Sequence, residues 1–389
     1  MADRLPTGID QLPSGLYRAR YRDSDGKQHG DSFVRLGDAR RWRTAQTASV
    51  DAGKHVSAAA GRVTFREYAE EWREAQVHRP SSAAHVETML RRHAYPFLGH
   101  RQLAAIRPTE VQAWVRRLGE RSPDRKPLAP ATVQVMHGIV AGIFRAAMRD
   151  RCVGSNPCGG TRLPKREPVR VAPLDLVTVQ AIRDALPSRW QATADLAAGT
   201  GMRIGEVLGL TVDRVDFLRR VLTVDRQLVS VESLPTYIGP PKTTASHRVI
   251  PLPQTTVDAL AAHLAKHGTA TVDLPLGAPD RAGSPVALIF GSARGGPVGR
   301  STFAHTWRVA VRVAGAPTGT GFHALRHFYA SLLIRHGESV KTVQARLGHA
   351  SASETLDTYS HLWPDSDDRT REAIDAVLGD TERVTSESR

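Results

Sequence analysis

Residues 153–173 carry four prolines and three glycines in Val-Gly-Ser-Asn-Pro-Cys-Gly-Gly-Thr-Arg-Leu-Pro-Lys-Arg-Glu-Pro-Val-Arg-Val-Ala-Pro, and neither a helix nor a central strand survives that density. The segment interrupts a chain of 389 residues, and single hydrophobic cores seldom grow past about 250–300 residues. Before it, apolar residues recur every three to four positions; after it, helical periods alternate with short strand-like runs. The expected organisation is a small segment at 1–60, a helical region at 61–160, a linker at 161–173 and a mixed region at 174–389.

Each region has its own signature. Residues 14–36 alternate, from Leu16-Tyr17-Arg18-Ala19-Arg20-Tyr21 through an Asp23-Ser-Asp-Gly26 turn to Phe33-Val34-Arg35, which predicts a hairpin followed by a basic helix near 38–50. Arg18 and Arg20 share one strand face, suited to a nucleic-acid groove or simply to solvent. Between 64 and 150, apolar positions such as Phe65, Tyr68, Trp72, Val111, Trp114, Val133, Val140 and Phe144 predict four helices with buried stripes. Thr64 with Glu67, and Thr109 with Glu110, suit helix N-termini. Arg91, Arg92, Arg116, Arg117, Arg145 and Arg149 fall off the stripes, on outer faces.

Past the linker, helices are expected near 175–186, 191–199, 203–209, 255–266, 302–313, 322–336, 339–346, 353–361 and 367–378. Strands are expected at Val212–Phe217 and Val221–Val224, continuing to Ile238 and Val249-Ile250.

Charge narrows the class of partner. The net charge is +14, of which residues 61–170 supply +10, with twenty Lys/Arg against ten Asp/Glu. A polyanion would be held there by field and counterion release; a solubilising surface is the alternative on charge alone. Residues 171–389 are almost neutral, so any arginine chemistry in them is local. No stretch reads as apolar for long enough to span a bilayer, and the N-terminus shows no signal-peptide run. Cys152 and Cys158 lie close together without a second pair, which predicts neither a zinc site nor a disulfide framework. A cytoplasmic protein is expected, and abundant Arg, Ala and Val with scarce Lys suggests a GC-rich bacterial genome.

Six side chains carry the chemistry. Arg203 stands in Gly199-Thr-Gly-Met-Arg-Ile-Gly-Glu206, Lys242 in Pro-Pro-Lys-Thr-Thr-Ala-Ser-His-Arg-Val-Ile-Pro, and His323 with Arg326 in His-Ala-Leu-Arg-His-Phe. His349 closes Leu347-Gly-His, and Tyr359 follows ten residues later. Two guanidinium forks, an ammonium, two imidazoles and a phenol are what is needed to hold a phosphodiester and attack its phosphorus. Taken singly, each piece also suits an ordinary core histidine, a helix start or a solvated lysine. Glu206, one turn beyond Arg203, could orient it. Tyr329 belongs to a buried stripe, whereas Tyr359 ends a polar stretch suited to a mobile segment.

In order and content these pieces resemble the two boxes of the tyrosine recombinase (phage integrase) family: Gly199–Leu210 the first, His323–Tyr359 the second, with a lysine-bearing β-turn at Lys242 between them. The resemblance is close over 170–380 and looser over 64–165 and 1–60. It implies a multidomain, mainly α protein. A small β-sheet-plus-helix arm-type DNA-binding module would precede an all-helical, SAM-like core-binding domain. A mixed α+β catalytic domain, mostly helical with a small antiparallel sheet, would end in a tail helix.

It also implies roles. Tyr359 would be the nucleophile that forms a 3′-phosphotyrosyl link; Arg203 and Arg326 the phosphate clamp; Lys242 the general acid. His323 would bind phosphate or assist the tyrosine's proton transfer, His349 would donate to a phosphate oxygen, and Glu206 would support the site. No metal, cofactor or ATP is expected. Double-stranded DNA with attachment-type sites and a homotetramer are the implied partners, with a directionality factor and a host DNA-bending protein as further candidates and no membrane. A nucleoid-associated integrase of a phage or mobile element is the leading function. A type IB-like topoisomerase or a non-catalytic DNA-binding regulator are the alternatives. The acidic tail, with Ala373, Ile374, Val377 and Leu378 at helical spacing, would dock on a neighbouring protomer or on its own domain.

Overall fold

The computed structural model describes residues 5–23, 26–51, 60–121, 126–167, 170–232, 234–363 and 367–378. Part of the expected Asp-Gly turn (24–25), part of the linker (168–169), residues 379–389 and the side chains of Ala373 and Val377 lie outside that description. The chain divides into two compact units, 1–167 and 168–389.

The first unit opens with a three-stranded antiparallel sheet of β1 (Ile9–Gln11), β2 (Tyr17–Arg22) and β3 (Gln28–Phe33), in that order, followed by α1 (Leu36–Asp51). The strand β1 was not expected. Three residues are too few to show a period, and it is held by Ile9 pairing with Ala19. Ala19 and Ala39 are fully buried, and their small side chains bring the sheet and α1 close together. Trp42 of α1 then packs edge-on against Tyr21, with ring centroids 5.4 Å apart.

The helical part comprises α2 (Phe65–Glu74), α3 (Pro80–Met89), α4 (Tyr95–Leu98), α5 (Pro108–Gly119) and α6 (Pro130–Arg149). Between α3 and α4 the backbone widens into a π turn at Leu90–Ala94. The Thr64–Glu67 capping box forms as expected at the start of α2. At α5 the cap is Arg107, whose backbone N–H donates to Glu110 at 3.0 Å, while Pro108 takes the first helical position and Thr109 is already inside. Contrary to expectation, α6 is long and apolar enough to cross a membrane by length and composition. Its apolar face is instead core: Val133, Met136, Val140, Ile143, Phe144 and Ala147 are all buried. The linker's first half also belongs to this unit, since Gln112 exchanges two hydrogen bonds with the backbone of Arg162.

The second unit begins with α7 (Leu176–Ala185), α8 (Ser188–Thr200) and α9 (Ile204–Leu208). A three-stranded antiparallel sheet, β4 (Val215–Asp216), β5 (Val221–Val224) and β8 (Arg248–Pro251), is joined to a hairpin of β6 (Gln227–Val229) and β7 (Tyr237–Gly239). Then come α10 (Gln254–His267), a second hairpin of β9 (Ala270–Pro275) and β10 (Gly283–Leu288), α11 (Arg300–Val313), α12 (Ala324–Arg335), α13 (Val340–Leu347), α14 (Ala352–Tyr359) and α15 (Asp367–Leu378). The segment 212–214, expected as strand, winds into a single 3₁₀ turn instead. Helix α8 is the central element, packed against α7, α10 and α12.

Candidate active site

Two glycines fix the backbone of the site. Gly201 ends α8 and Gly348 ends α13, both in the left-handed conformation, with φ of 66° and 64°. Each turns its carbonyl toward an arginine. The Gly201 oxygen accepts from Nη1 of Arg326 at 2.8 Å, and the Gly348 oxygen faces Nη2 of Arg203 at 3.5 Å. A Cβ on Gly201 would stand 2.5 Å from the Tyr329 ring, so the position excludes any side chain on space as well as on φ. Tyr329 is thus core, as expected, at 7% exposure.

Arg203, Lys242, His323, Arg326 and His349 line one pocket of about 400 Å³, together with Thr243, Gly348, Ala350 and Glu354. Five of the six expected residues therefore meet, from four separate stretches of chain. Lys242 does not sit at a hairpin tip: it lies exposed on the connection between β7 and β8, two strands of different sheets. His323 caps α12 at the pocket mouth, where its residue surface remains exposed.

Arg326 is 1% exposed, and its Nη2 is buried with no hydrogen-bond partner among the described residues. An unsatisfied guanidinium donor on a pocket wall is costly unless an anion fills the pocket. Burial and the charges of Arg203 and Arg248 push the Arg326 pKa down, and they press in the same direction on the imidazoles. His323 is lowered to about 4 by the protein around it and by His327, Arg326 and Arg203. His349 is lowered to about 4 by burial and Arg326. These surroundings disfavour protonation of both histidines, and a bound phosphodiester would relieve that.

Glu206 is buried and is engaged by Arg248 as well as by Arg203. Its carboxylate accepts from Arg203 Nη1 at 3.1 Å and from Arg248 Nη2 at 2.8 Å. Arg248 also donates to the carbonyls of Ser246 and Arg346. Burial raises the Glu206 pKa, but Arg248 and Arg203 outweigh it and hold the carboxyl below its usual range. Arg248 was legible only as a residue of the lysine stretch; its pairing spans 42 positions and leaves no local signal.

Tyr359 is the last residue of α14 and is 1% exposed. It does not line the pocket, but its ring stacks on His349, with centroids 6.4 Å apart and planes within 10°. Its hydroxyl lies 2.8 Å from Nδ1 of His327. Burial raises the phenol pKa to about 12, against the pull of Arg326. His327 is the functional neighbour that sequence reasoning missed; its adjacency to Arg326 was the available signal. His349 is fixed by a 2.8 Å hydrogen bond between its Nδ1 and Thr355, which leaves Nε2 to face Glu354 at 3.9 Å.

The arginines expected on DNA-facing surfaces lie elsewhere. Arg18 and Arg20 project from one face of β2, where Asp10 pairs with both at 2.7 and 2.9 Å. Arg91 and Arg92 are exposed on the π turn. Arg116 and Arg117 end α5, and Arg145 and Arg149 lie exposed in the last turns of α6. Arg116 pairs with Glu120, and Arg117 lies over the Phe97 ring at 4.4 Å.

Residues 175–365 match the phage integrase family, residues 8–52 the phage integrase N-terminal domain and residues 65–163 the phage integrase central domain. A protein of Mycobacterium tuberculosis, provisionally named the prophage phiRv2 integrase, is 28% identical over 91% of this chain and 90% of its own length. In fold, the chain is similar to the Tn1549 transposon integrase in complex with transposon right end DNA (TM-score 0.67, 21% identity, 81% of this chain and 100% of that one). It is also similar to a lambda integrase tetramer bound to a Holliday junction (TM-score 0.56, 18% identity, 90% of this chain and 98% of that one). With the three regions matched in order, the chain belongs to the phage integrase family of tyrosine recombinases and is a site-specific DNA recombinase.

Proposed function

We propose that Tyr359 cleaves a DNA strand by in-line attack on a phosphodiester held in the Arg203–Arg326 pocket, and that the exchange integrates and excises a phage or mobile element. The phenol oxygen forms a bond to phosphorus while the bond to the 5′-oxygen breaks, leaving a 3′-phosphotyrosyl link and a free 5′-hydroxyl. Arg203 and Arg326 stabilise the charge that grows on the non-bridging oxygens, the former through its exposed edge, the latter through Nη2. Lys242, exposed on the pocket rim, protonates the departing oxygen, and such transfers contribute roughly 10²–10⁴ in rate. His323 and His349 add hydrogen bonds to the phosphate, and Glu206 holds Arg203. Because the covalent link conserves the energy of the broken bond, a 5′-hydroxyl of a second duplex can reseal it without ATP.

The observation that carries this proposal is the buried Nη2 of Arg326, without a hydrogen-bond partner among the described residues, on the wall of a pocket that also presents Arg203. The lambda tetramer on a Holliday junction supports a homotetramer acting on paired attachment-type duplexes. The 1–60 region would act as the arm-type module through Arg18 and Arg20. The 61–160 region would embrace the core site through Arg91, Arg92, Arg116, Arg117, Arg145 and Arg149, with 161–173 linking it to the catalytic domain. The apolar edge of α15, where Ile374 and Leu378 are exposed, is suited to docking on a neighbouring protomer. A directionality factor and a host bending protein remain candidate partners on the bacterial nucleoid.

The test uses nicked duplexes captured covalently from a randomised pool. Wild-type protein should give a DNA-linked band that survives denaturation, and Tyr359→Phe should lose the band while keeping DNA affinity. An adduct formed by Tyr359→Phe would overturn the assignment.

A further inference from the structure

The proposed cleavage leaves one proton without a recipient. Attack by Tyr359 requires its phenol to lose a proton, and burial makes that loss harder rather than easier. Of the two histidines whose rings meet that of Tyr359, His349 lies parallel to it and has its Nδ1 tied to Thr355. His323 has no hydrogen bond to the hydroxyl and meets His327 edge-on, with centroids 4.8 Å apart. The tyrosine hydroxyl instead lies 2.8 Å from Nδ1 of His327, one helix turn after His323 and next to Arg326.

We propose that His327 is the general base of the reaction: its Nδ1 accepts the Tyr359 proton during attack and returns it when the phosphotyrosyl bond is resealed. The inference rests on Tyr359 being the nucleophile. The phenol O–H bond breaks as oxygen bonds phosphorus, His327 becomes an imidazolium, and the bond from phosphorus to the 5′-oxygen breaks as that oxygen takes a proton from Lys242. Religation runs the same transfers backward.

Three features support it. A buried phenol needs an acceptor for its proton, and among the described residues Nδ1 of His327 is the partner its hydroxyl has. With the phenol donating in that bond, His327 carries its hydrogen on Nε2 and a lone pair on Nδ1. The surroundings also time the transfer. His327 is faced by Arg326 and His323 from its own helix and by Tyr359 from α14, with His349 and Glu354 beyond the tyrosine. Burial and Arg326 disfavour a charge on its ring and so favour the neutral imidazole that an acceptor must be. A phosphodiester between the two arginines would offset that repulsion, and His327 would gain proton affinity as substrate arrives.

The experiment compares wild type, His327→Asn, His327→Ala and Tyr359→Phe on the nicked duplex recovered from the randomised pool. Asparagine places an oxygen near the Nδ1 position, so it can hold the tyrosine but cannot take its proton. The expected result is a single-turnover cleavage rate reduced roughly 10²–10⁴-fold in His327→Asn as well as in His327→Ala, with the deficit shrinking as pH rises. Cleavage by His327→Asn within about threefold of wild type, a loss far smaller than general-base removal causes, would reduce His327 to a positioning role and overturn the proposal. A second measurement needs no variant at this position. Nitrogen-15 NMR should show His327 Nδ1 unprotonated and hydrogen-bonded in the wild type, changing in Tyr359→Phe; a protonated Nδ1 would equally overturn it. Failure of the nucleophile assignment would look different, since Tyr359→Phe itself would then form the adduct.

Discussion

Replacing Glu206 by glutamine tests whether the site depends on a buried Arg–Glu–Arg arrangement. The carboxylate is 1% exposed at its side chain and accepts from the Arg203 backbone N–H at 3.0 Å, from Arg203 Nη1 at 3.1 Å and from Arg248 Nη2 at 2.8 Å. An amide at that position removes the charge and points two N–H donors at guanidinium donors. Arg248, 5% exposed at its side chain, is then left as an uncompensated buried cation. Removing one partner of a buried pair costs about 3–5 kcal/mol. For a unit of the size of residues 168–389, that lowers the melting temperature by roughly 6–20 °C. Cleavage should fall as well, because Arg203 loses the group that aims it.

The sign with pH is fixed. A carboxyl held below its usual value of 4.5 stabilises the fold above that value, and the contribution disappears as pH falls through the lower folded value. Scanning calorimetry of wild type and Glu206→Gln should show a gap at neutral pH that closes in acid. The double variant Glu206→Gln with Arg248→Met should recover most of the loss, since replacing the whole buried pair is often neutral. A neutral-pH difference below about 2 °C, corresponding to less than 1 kcal/mol, would refute the reasoning.

Two further outcomes follow from the same geometry. Gly201→Ala should cost several degrees of melting temperature and also reduce cleavage, because its Cβ would collide with Tyr329 and displace the carbonyl that holds Arg326; an unchanged melting curve would contradict this. The catalytic unit should lose stability on acidification between pH 6.5 and about 4, because His323 and His349 have folded values near 4 and the unfolded chain binds their protons first. A stability flat across that window, measured by denaturant titration, would show that the pocket does not hold these rings neutral.

Local chemistry was legible in the sequence, and long-range pairing was not. Arg203, His323, Arg326 and His349 announced themselves because their glycine caps and helix spacing lie within a few residues of them. The hairpin of β9 and β10 was missed because Pro275, Pro285 and the intervening Gly277-Ala-Pro-Asp resemble a loop, and two short strands with a proline in each show no clean alternation. Val212 continued an apparent period-two run and was expected as strand, but the chain turns there. Arg248 and His327 acquire their roles from partners 42 and 32 positions away, a relation that no window of sequence displays. The apolar run of α6 was underestimated, because between Pro130 and Arg145 its exposed positions are Val135 and Gly138 rather than charges.

The identity of the residue joined to DNA can be read by mass spectrometry of the trapped adduct after nuclease and protease digestion. A nucleotide remnant linked through a 3′-phosphate to the peptide containing Tyr359 is the predicted result. The same remnant on Tyr329, on a serine, or on no peptide at all would mean that the pocket around Arg326 serves some other nucleophile.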